Sequence, residues 1–262
     1  MKGEVLRETE ISSPLLDPYL VEFKQGPQTW GPIFKEIGKQ LNIETEYVKE
    51  QSPLFKDMRR QLDTEAGMLI ANHPSSLDFF FVFPTLTRQD VLCMTQRKRF
   101  PFLEQTFGSK YVVQVPEGVG ESLEATKRIE EHISSGGLFI LFPSGGEEIA
   151  TGVLRFKSGF RHFLSRLSPE SMIYAMHIDP KAGETIMKNV VGAPPKAGGV
   201  PELIAPNLHV RPNPEILRVL VDETYTQTAD WQKVLREQST TAGDEEKDPL
   251  TQHYLRLFGL GN

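Results

Sequence analysis

Short, mostly apolar runs that alternate with amphipathic ones constrain this chain more than any other feature. Met68-Leu69-Ile70-Ala71, Val91 to Thr95, Tyr111 to Val115, Leu138-Phe139-Ile140-Leu141-Phe142 and Met172 to Ile178 have strand length. Between them, Asp78 to Leu86, Glu121 to Ser134 and Gly159 to Leu167 read as helices. Gly136-Gly137 stops the second of these. A strand that is apolar all along must be covered on both faces, which is the condition of a parallel sheet. Strands alternating with helices give the same answer. The spacing therefore predicts an α/β fold: a largely parallel central sheet flanked by helices, with an N-terminal helical segment.

The chain divides into three stretches. Residues 1–50 form the N-terminal helical segment, 51–225 an α/β domain, and 226–262 a C-terminal helical tail with a polar linker. In the first stretch Trp30, Ile33, Phe34, Ile37 and Leu41 recur at helical spacing, with Gly31-Pro32 near the start. That face is expected to pack on the core; the competing reading is contact with a membrane surface. Pro194-Pro195-Lys196-Ala197-Gly198-Gly199 reads as a loop and Leu208-His209-Val210 as a short strand. Thr240 to Asp248 is polar enough to be disordered. Pro249 to Leu260 is amphipathic through Leu250, Tyr254, Leu257 and Phe258.

Composition narrows the class. Hydrophobic content of 39% and charged content of 24% describe a globular chain. No stretch approaches the ~20 apolar residues of a membrane-spanning helix, and the N-terminus lacks a signal-peptide apolar region. The single cysteine, Cys93, excludes an internal disulfide and Cys-rich zinc patterns. With 35 acidic and 29 basic residues the net charge is −6, which argues against nucleic acid as partner. A reducing cytosol is the expected setting, with the inner face of a membrane as the surface such a protein would touch.

Two constellations carry chemistry. In Asn72-His73-Pro74-Ser75-Ser76-Leu77-Asp78 the apolar strand ends and presents His73 at its carboxyl end. That is where open α/β sheets bind ligands. Asp78 is close enough in sequence to reach back to one imidazole nitrogen, leaving the other to take a proton. A plain helix cap by Ser75, Ser76 or Asp78 is the alternative. In the second, Leu138 to Phe142 runs into Pro143-Ser144-Gly145-Gly146-Glu147-Glu148. Paired glycines let backbone N–H groups converge on an oxygen or phosphate, although an ordinary turn has the same sequence needs. Ser144 as a hydrolase nucleophile is disfavoured: the nucleophile elbow needs glycine two residues earlier, and Phe142 stands there. Arg97-Lys98-Arg99 and Arg155, Lys157 and Arg161 fall at the same sheet edge, where basic groups suit an anionic substrate.

Together these residues resemble the glycerolipid acyltransferases. His73 to Asp78 resembles the family's first block, the HX4D pattern, here preceded by asparagine. Phe142-Pro143-Ser144-Gly145-Gly146 resembles the third. The membrane-bound lysophosphatidate enzymes usually carry Phe-Pro-Glu-Gly-Thr-Arg there; Pro-Ser-Gly-Gly is instead similar to the soluble glycerol-3-phosphate enzymes of plastids. Phe156-Lys157-Ser158-Gly159 resembles the segment that follows in the lysophosphatidate group, and Met172 to Pro180 the fourth block. Two departures stand out. Glu147 occupies the position of an arginine that contacts the acceptor phosphate, and Val115 is followed by Pro116-Glu117-Gly118 rather than by basic residues.

The resemblance implies an O-acyltransferase of phospholipid biosynthesis. It would move a fatty acyl group from a thioester to a hydroxyl of glycerol 3-phosphate or a related glycerolipid acceptor. His73 and Asp78 are the expected catalytic pair. Ser144, Gly145, Gly146, Lys98, Arg155 and Lys157 are the expected substrate-binding residues. Acyl-CoA or acyl carrier protein is the implied donor and partner, as co-substrate, with no cofactor and no metal. The Phe-rich stretch after His73 is a candidate wall for the acyl chain. The alternatives are a lysophospholipid acceptor, a non-catalytic lipid-binding relative, and a Ser144-dependent hydrolase.

Overall fold

The apolar runs become the middle of one sheet. The computed structural model describes residues 17–40, 43–47, 53–73, 78, 82–95, 100–116, 119–145, 156–178, 217–237 and 248–258. Five strands follow the sequence expectation: β2 (Gly67–Ala71), β3 (Val91–Thr95), β4 (Val112–Gln114), β5 (Leu138–Leu141) and β6 (Met172–Ile178). Two more were not foreseen, β1 (Ile43–Tyr47) and β7 (Leu217–Gln227). The order is β1-β7-β6-β2-β5-β3-β4. From β6 to β4 every pairing is parallel. β7 runs antiparallel to β6, and β1 pairs parallel with β7. The sheet is thus largely parallel, and the stretches containing residues 43–47, 67–178 and 217–227 all contribute strands to it.

The centre of the sheet is tight. β2 lies between β5 and β6 with all five of its residues buried. A side chain at Gly67 would place its Cβ 2.4 Å from the Met172 carbonyl oxygen, so the β2–β6 approach admits only glycine there.

Alternation along the strands makes two cores. Leu69, Ala71, Leu138, Ile140, Tyr174, Met176 and Ile178 face one layer; Met68, Ile70, Phe139, Leu141, Ile173 and Ala175 face the other. The first is covered by α1 (Leu20–Gln25), α2 (Pro27–Gln40), α3 (Pro53–Thr64) and α4 (Phe100–Phe107), through Phe23, Phe34, Ile37, Met58, Leu62 and Phe107. The second is covered by α5 (Val119–Ser134), α6 (Ser158–Arg166), α7 (Thr228–Glu237) and α8 (Pro249–Leu257), through Ile129, Phe160, Leu164, Trp231, Leu250 and Tyr254.

The aromatic face of α2 belongs to the first core. Trp30, Phe34 and Ile37 are each no more than 1% exposed and Ile33 is 7% exposed. Trp30 packs 4.6 Å from the Phe107 ring and 4.9 Å from Phe83, and its indole N–H donates to the Phe23 carbonyl. The reading of this face as a membrane contact is therefore corrected: burial of the same apolar area against the sheet uses it up. Leu41 lies outside the described residues. α2 starts at Pro27, so Pro32 sits inside the helix rather than near its start.

Boundaries moved elsewhere too. Of the helix expected over Asp78 to Leu86, residues 79–81 lie outside the described residues; the Val82 N–H donates to the Asp78 carbonyl, a 3-10 turn covers Phe83–Thr85, and Leu86 is extended. The expected loop at 194–199 and strand at 208–210 lie outside the described residues, as does most of the polar stretch 240–248. Asp248 is described, and it caps α8.

Candidate active site

Where β2 ends, a side chain continues the ladder. The Asn72 amide nitrogen donates to the Ile178 carbonyl at 2.7 Å, and its side-chain oxygen accepts from the Ile178 N–H at 2.6 Å. Asn72 is 1% exposed. An amide carries one donor and one acceptor group, so it can pair a neighbouring backbone as another strand residue would. The next residue, His73, is therefore delivered at a fixed point on the carboxyl edge of the sheet.

His73 Nδ1 lies 2.8 Å from Asp78 Oδ2. The Asp78 side chain is fully buried while 20% of the His73 side chain stays exposed. An ionised carboxylate only accepts, so in this bond Nδ1 is the donor. A buried carboxylate needs such a partner to offset its lost hydration. The imidazole stacks on Phe142, centroids 4.6 Å apart and planes 27° from parallel. That contact joins the two sequence constellations, because β2 and β5 are parallel neighbours and end at the same edge.

Of the glycine turn, Pro143, Ser144 and Gly145 are among the described residues. Gly145 has φ of +64°, a left-handed conformation that side chains disfavour, and its N–H donates to the Phe142 carbonyl at 2.9 Å. Ser144 is buried at 6% exposure. Lys157 is brought to this turn. Its N–H donates to the Pro143 carbonyl at 2.8 Å, and its Cγ lies 3.1 Å from where a Cβ on Gly145 would sit. Gly146, Glu147, Lys98 and Arg155 lie outside the described residues, as do Arg97, Arg99 and Phe79 to Phe81.

Arg161 has another use than the anionic substrate expected for its cluster. It pairs with Asp248, and partial burial holds its pKa below the ordinary arginine value. Asp248 in turn accepts from the Thr251 N–H and hydroxyl, both at 2.8 Å. Sequence reasoning missed three residues around the site: Asn72 as a ladder mimic, Thr251 and Tyr254. The Tyr254 hydroxyl accepts from the Asn72 N–H at 3.3 Å and donates to the Met176 carbonyl. Only Asp248-Pro249 carried a local signal, that of a helix cap followed by proline at the first helical position.

Among the described residues no group of three or more His, Cys, Asp or Glu is placed to hold a metal ion. No helix among them is long and apolar enough to cross a membrane.

The acyltransferase family model matches residues 44–179, just over half of the chain. The chain belongs to the acyltransferase family. The matched stretch runs from β1 to the end of β6 and contains the His73–Asp78 pair and the Ser144–Gly145 turn. No curated protein matches this sequence. Among solved structures, the 1-acyl-sn-glycerophosphate (LPA) acyltransferase PlsC from Thermotoga maritima is similar, with a TM-score of 0.51 and 13% identity. The match covers 91% of this chain and 78% of that one. At that identity the likeness is one of fold, and it agrees with the α/β sheet described above.

Proposed function

We propose that this acyltransferase moves a fatty acyl group from an acyl thioester to a hydroxyl of glycerol 3-phosphate or a related glycerolipid. The observation that carries the reading is the buried Asp78 carboxylate on Nδ1 of a partly exposed histidine at the carboxyl edge of the sheet. His73 Nε2 takes the proton of the acceptor hydroxyl as its oxygen attacks the thioester carbonyl carbon. Asp78 keeps the productive tautomer and stabilises the imidazolium. The carbon–sulfur bond then breaks, and the imidazolium returns the proton to the leaving thiolate. Backbone groups of the Ser144–Gly145–Gly146 turn other than the Gly145 N–H, which the Phe142 carbonyl holds, and Lys157, Arg155 and Lys98, are the groups proposed to meet substrate. Acyl-CoA or acyl carrier protein supplies the donor, and the reaction takes place on the cytoplasmic side, at or near a membrane surface.

A lysophospholipid acceptor is the second reading. It is favoured by the fold shared with an enzyme described as acting on 1-acyl-sn-glycerophosphate. The experiment is to incubate purified protein with labelled acyl-CoA and, separately, acyl carrier protein, against glycerol 3-phosphate, lysophosphatidate and neutral alcohols. Acylated glycerol 3-phosphate supports the first reading, and acylated lysophosphatidate the second. Labelled free acid without acceptor product would point to the Ser144 hydrolase, and unchanged lipid in complex to a non-catalytic relative.

A further inference from the structure

The two halves of the site both contact a third element. α8 packs in the second core, with Leu250 and Tyr254 fully buried and Thr251 2% exposed. At one end of the contact, the Tyr254 hydroxyl holds the Asn72 N–H, the backbone group just before His73. At the other, Thr251 Oγ1 accepts from the Phe156 N–H at 3.1 Å, and the Phe156 ring meets Tyr254 edge-on at 5.5 Å. Lys157, next in the chain, holds the Pro143 carbonyl. Phe142, just before it, stacks on His73.

These contacts form a closed circuit. It runs from His73 through Asn72 to Tyr254, across to Phe156, through Lys157 to Pro143, and back by Phe142 to the imidazole. α8 supplies one side of it. The Asp248 cap and its pair with Arg161 anchor the start of that helix to α6, the helix that follows Phe156 and Lys157. An imidazole held by a carboxylate on one nitrogen still rotates with its backbone. Beyond the Asn72–Ile178 pairing, its position relative to the glycine turn depends on the distance between the Asn72–His73 backbone and Phe142.

We propose that α8 is a positioning brace, in which Tyr254 and Thr251 set the spacing between His73 and the Ser144–Gly145 turn. This rests on the reading of His73 as the general base. Neither residue touches the reacting atoms. They act through backbone groups of the two segments that do. Reaction rates fall steeply when a catalytic group is displaced by even an ångström. A helix that only filled the core would change stability and leave turnover of the folded protein alone.

The test uses the full chain with labelled acyl donor and the best acceptor from the panel above. Tyr254→Phe keeps the ring and removes the hydroxyl. Turnover is expected to fall about tenfold, with acceptor KM unchanged, at a temperature where the variant is fully folded. Ile129→Val, a buried change in α5, serves as control and keeps the parental kcat. In an Asp78→Asn background, adding Tyr254→Phe is expected to change kcat by less than about twofold, because the two act on one dyad. Thr251→Val repeats the measurement at the other end and carries the test should Tyr254→Phe not fold. Amide exchange at Asn72 should quicken in Tyr254→Phe. Parental kcat in both brace variants overturns the proposal, as does a loss that simply adds to that of Asp78→Asn. If His73→Ala itself keeps its turnover, the general-base reading falls and the brace with it. If His73→Ala is inactive while both brace variants are normal, the brace alone falls.

Discussion

Two histidines stand at opposite ends of the same sheet, and their surroundings differ in one respect that decides what each can do. His73, at the carboxyl end, faces a carboxylate and keeps a fifth of its side chain exposed. His132, near the amino end, points Nε2 at two backbone carbonyls, those of Asp90 at 3.1 Å and Leu138 at 3.2 Å. Burial above all pushes the His132 pKa below its ordinary value. Arg88 adds to that, against the pull of the carbonyls and Asp90. Carbonyl partners fix a neutral ring as a strut; a carboxylate partner prepares a ring to become charged.

The neighbourhood of His132 makes the same point. Arg88, 6% exposed, donates to the carbonyls of Leu62, Glu65 and Gly136 and grips Asp90 with two bonds, at 2.7 and 2.6 Å. Its donors are spent on tying α3 to the loops that lead into β3 and β5. In both regions the buried charged groups, Arg88 and Asp78, are paired. At the amino end the pairing ties elements of the fold together, and at the carboxyl end it fixes one nitrogen of a partly exposed ring.

The largest effect expected is at His73. His73→Ala should lower acyl transfer by about 10²–10⁴-fold with circular dichroism and melting near parental. Near-normal turnover would sink the contrast between the two histidines. Next comes Arg88→Ala. It should destabilise by roughly 3 kcal/mol or more, at about 1–3 kcal/mol for each buried acceptor left bare, while kcat per folded molecule stays within about twofold. A loss of kcat with unchanged melting would show that the amino end also serves chemistry. Asp78→Asn is expected to lose about 10²-fold in kcat, at the lower end of what a general base contributes, because the amide no longer selects the tautomer or stabilises the imidazolium.

The smallest effect is a slope. The folded pKa of His132 lies below the unfolded value of 6.5. Above that pH both states are neutral and the group contributes nothing to the pH dependence. As pH falls through 6.5 the unfolded chain takes a proton that the folded one resists, so stability declines until the folded pKa is passed. His253 is also held low by burial, so the informative quantity is the parent-minus-variant difference. His132→Gln should flatten the fall in melting temperature between about pH 7 and 5. An unchanged slope would mean that His132 is not the strut described.

Much of this was legible in the sequence. The central strands announce themselves as contiguous apolar runs because both of their faces are buried. β1 and β7 do not, since Ile43-Glu44-Thr45-Glu46-Tyr47 and Leu217 to Gln227 mix charged and apolar residues as strands outside the centre do. α3 carries an apolar stripe, Leu54, Phe55, Met58 and Leu62, that the sequence reading passed over, and α4 begins Phe100-Pro101, which obscures its start. The dyad was readable because its partners are five residues apart. The hold of Tyr254 on Asn72 was not, because no local pattern encodes a bond across 182 positions. The acidic cap of α8 hid in a polar stretch that composition alone reads as disordered.

The edge made by β1 and β7 imposes an order of assembly. β1 leaves the ribosome well before β7, yet Ile43 pairs with Leu217. At about 5–20 residues per second, β1 waits roughly 9 to 35 s for its partner to be made. During that wait it is an unpaired strand on an incomplete sheet, the kind of surface that templates association with a neighbouring chain. Two glutamates within its five residues, Glu44 and Glu46, give this segment a like charge on every nascent copy. The mixed composition that hid β1 from pattern reading thus disfavours pairing between copies until β7 arrives.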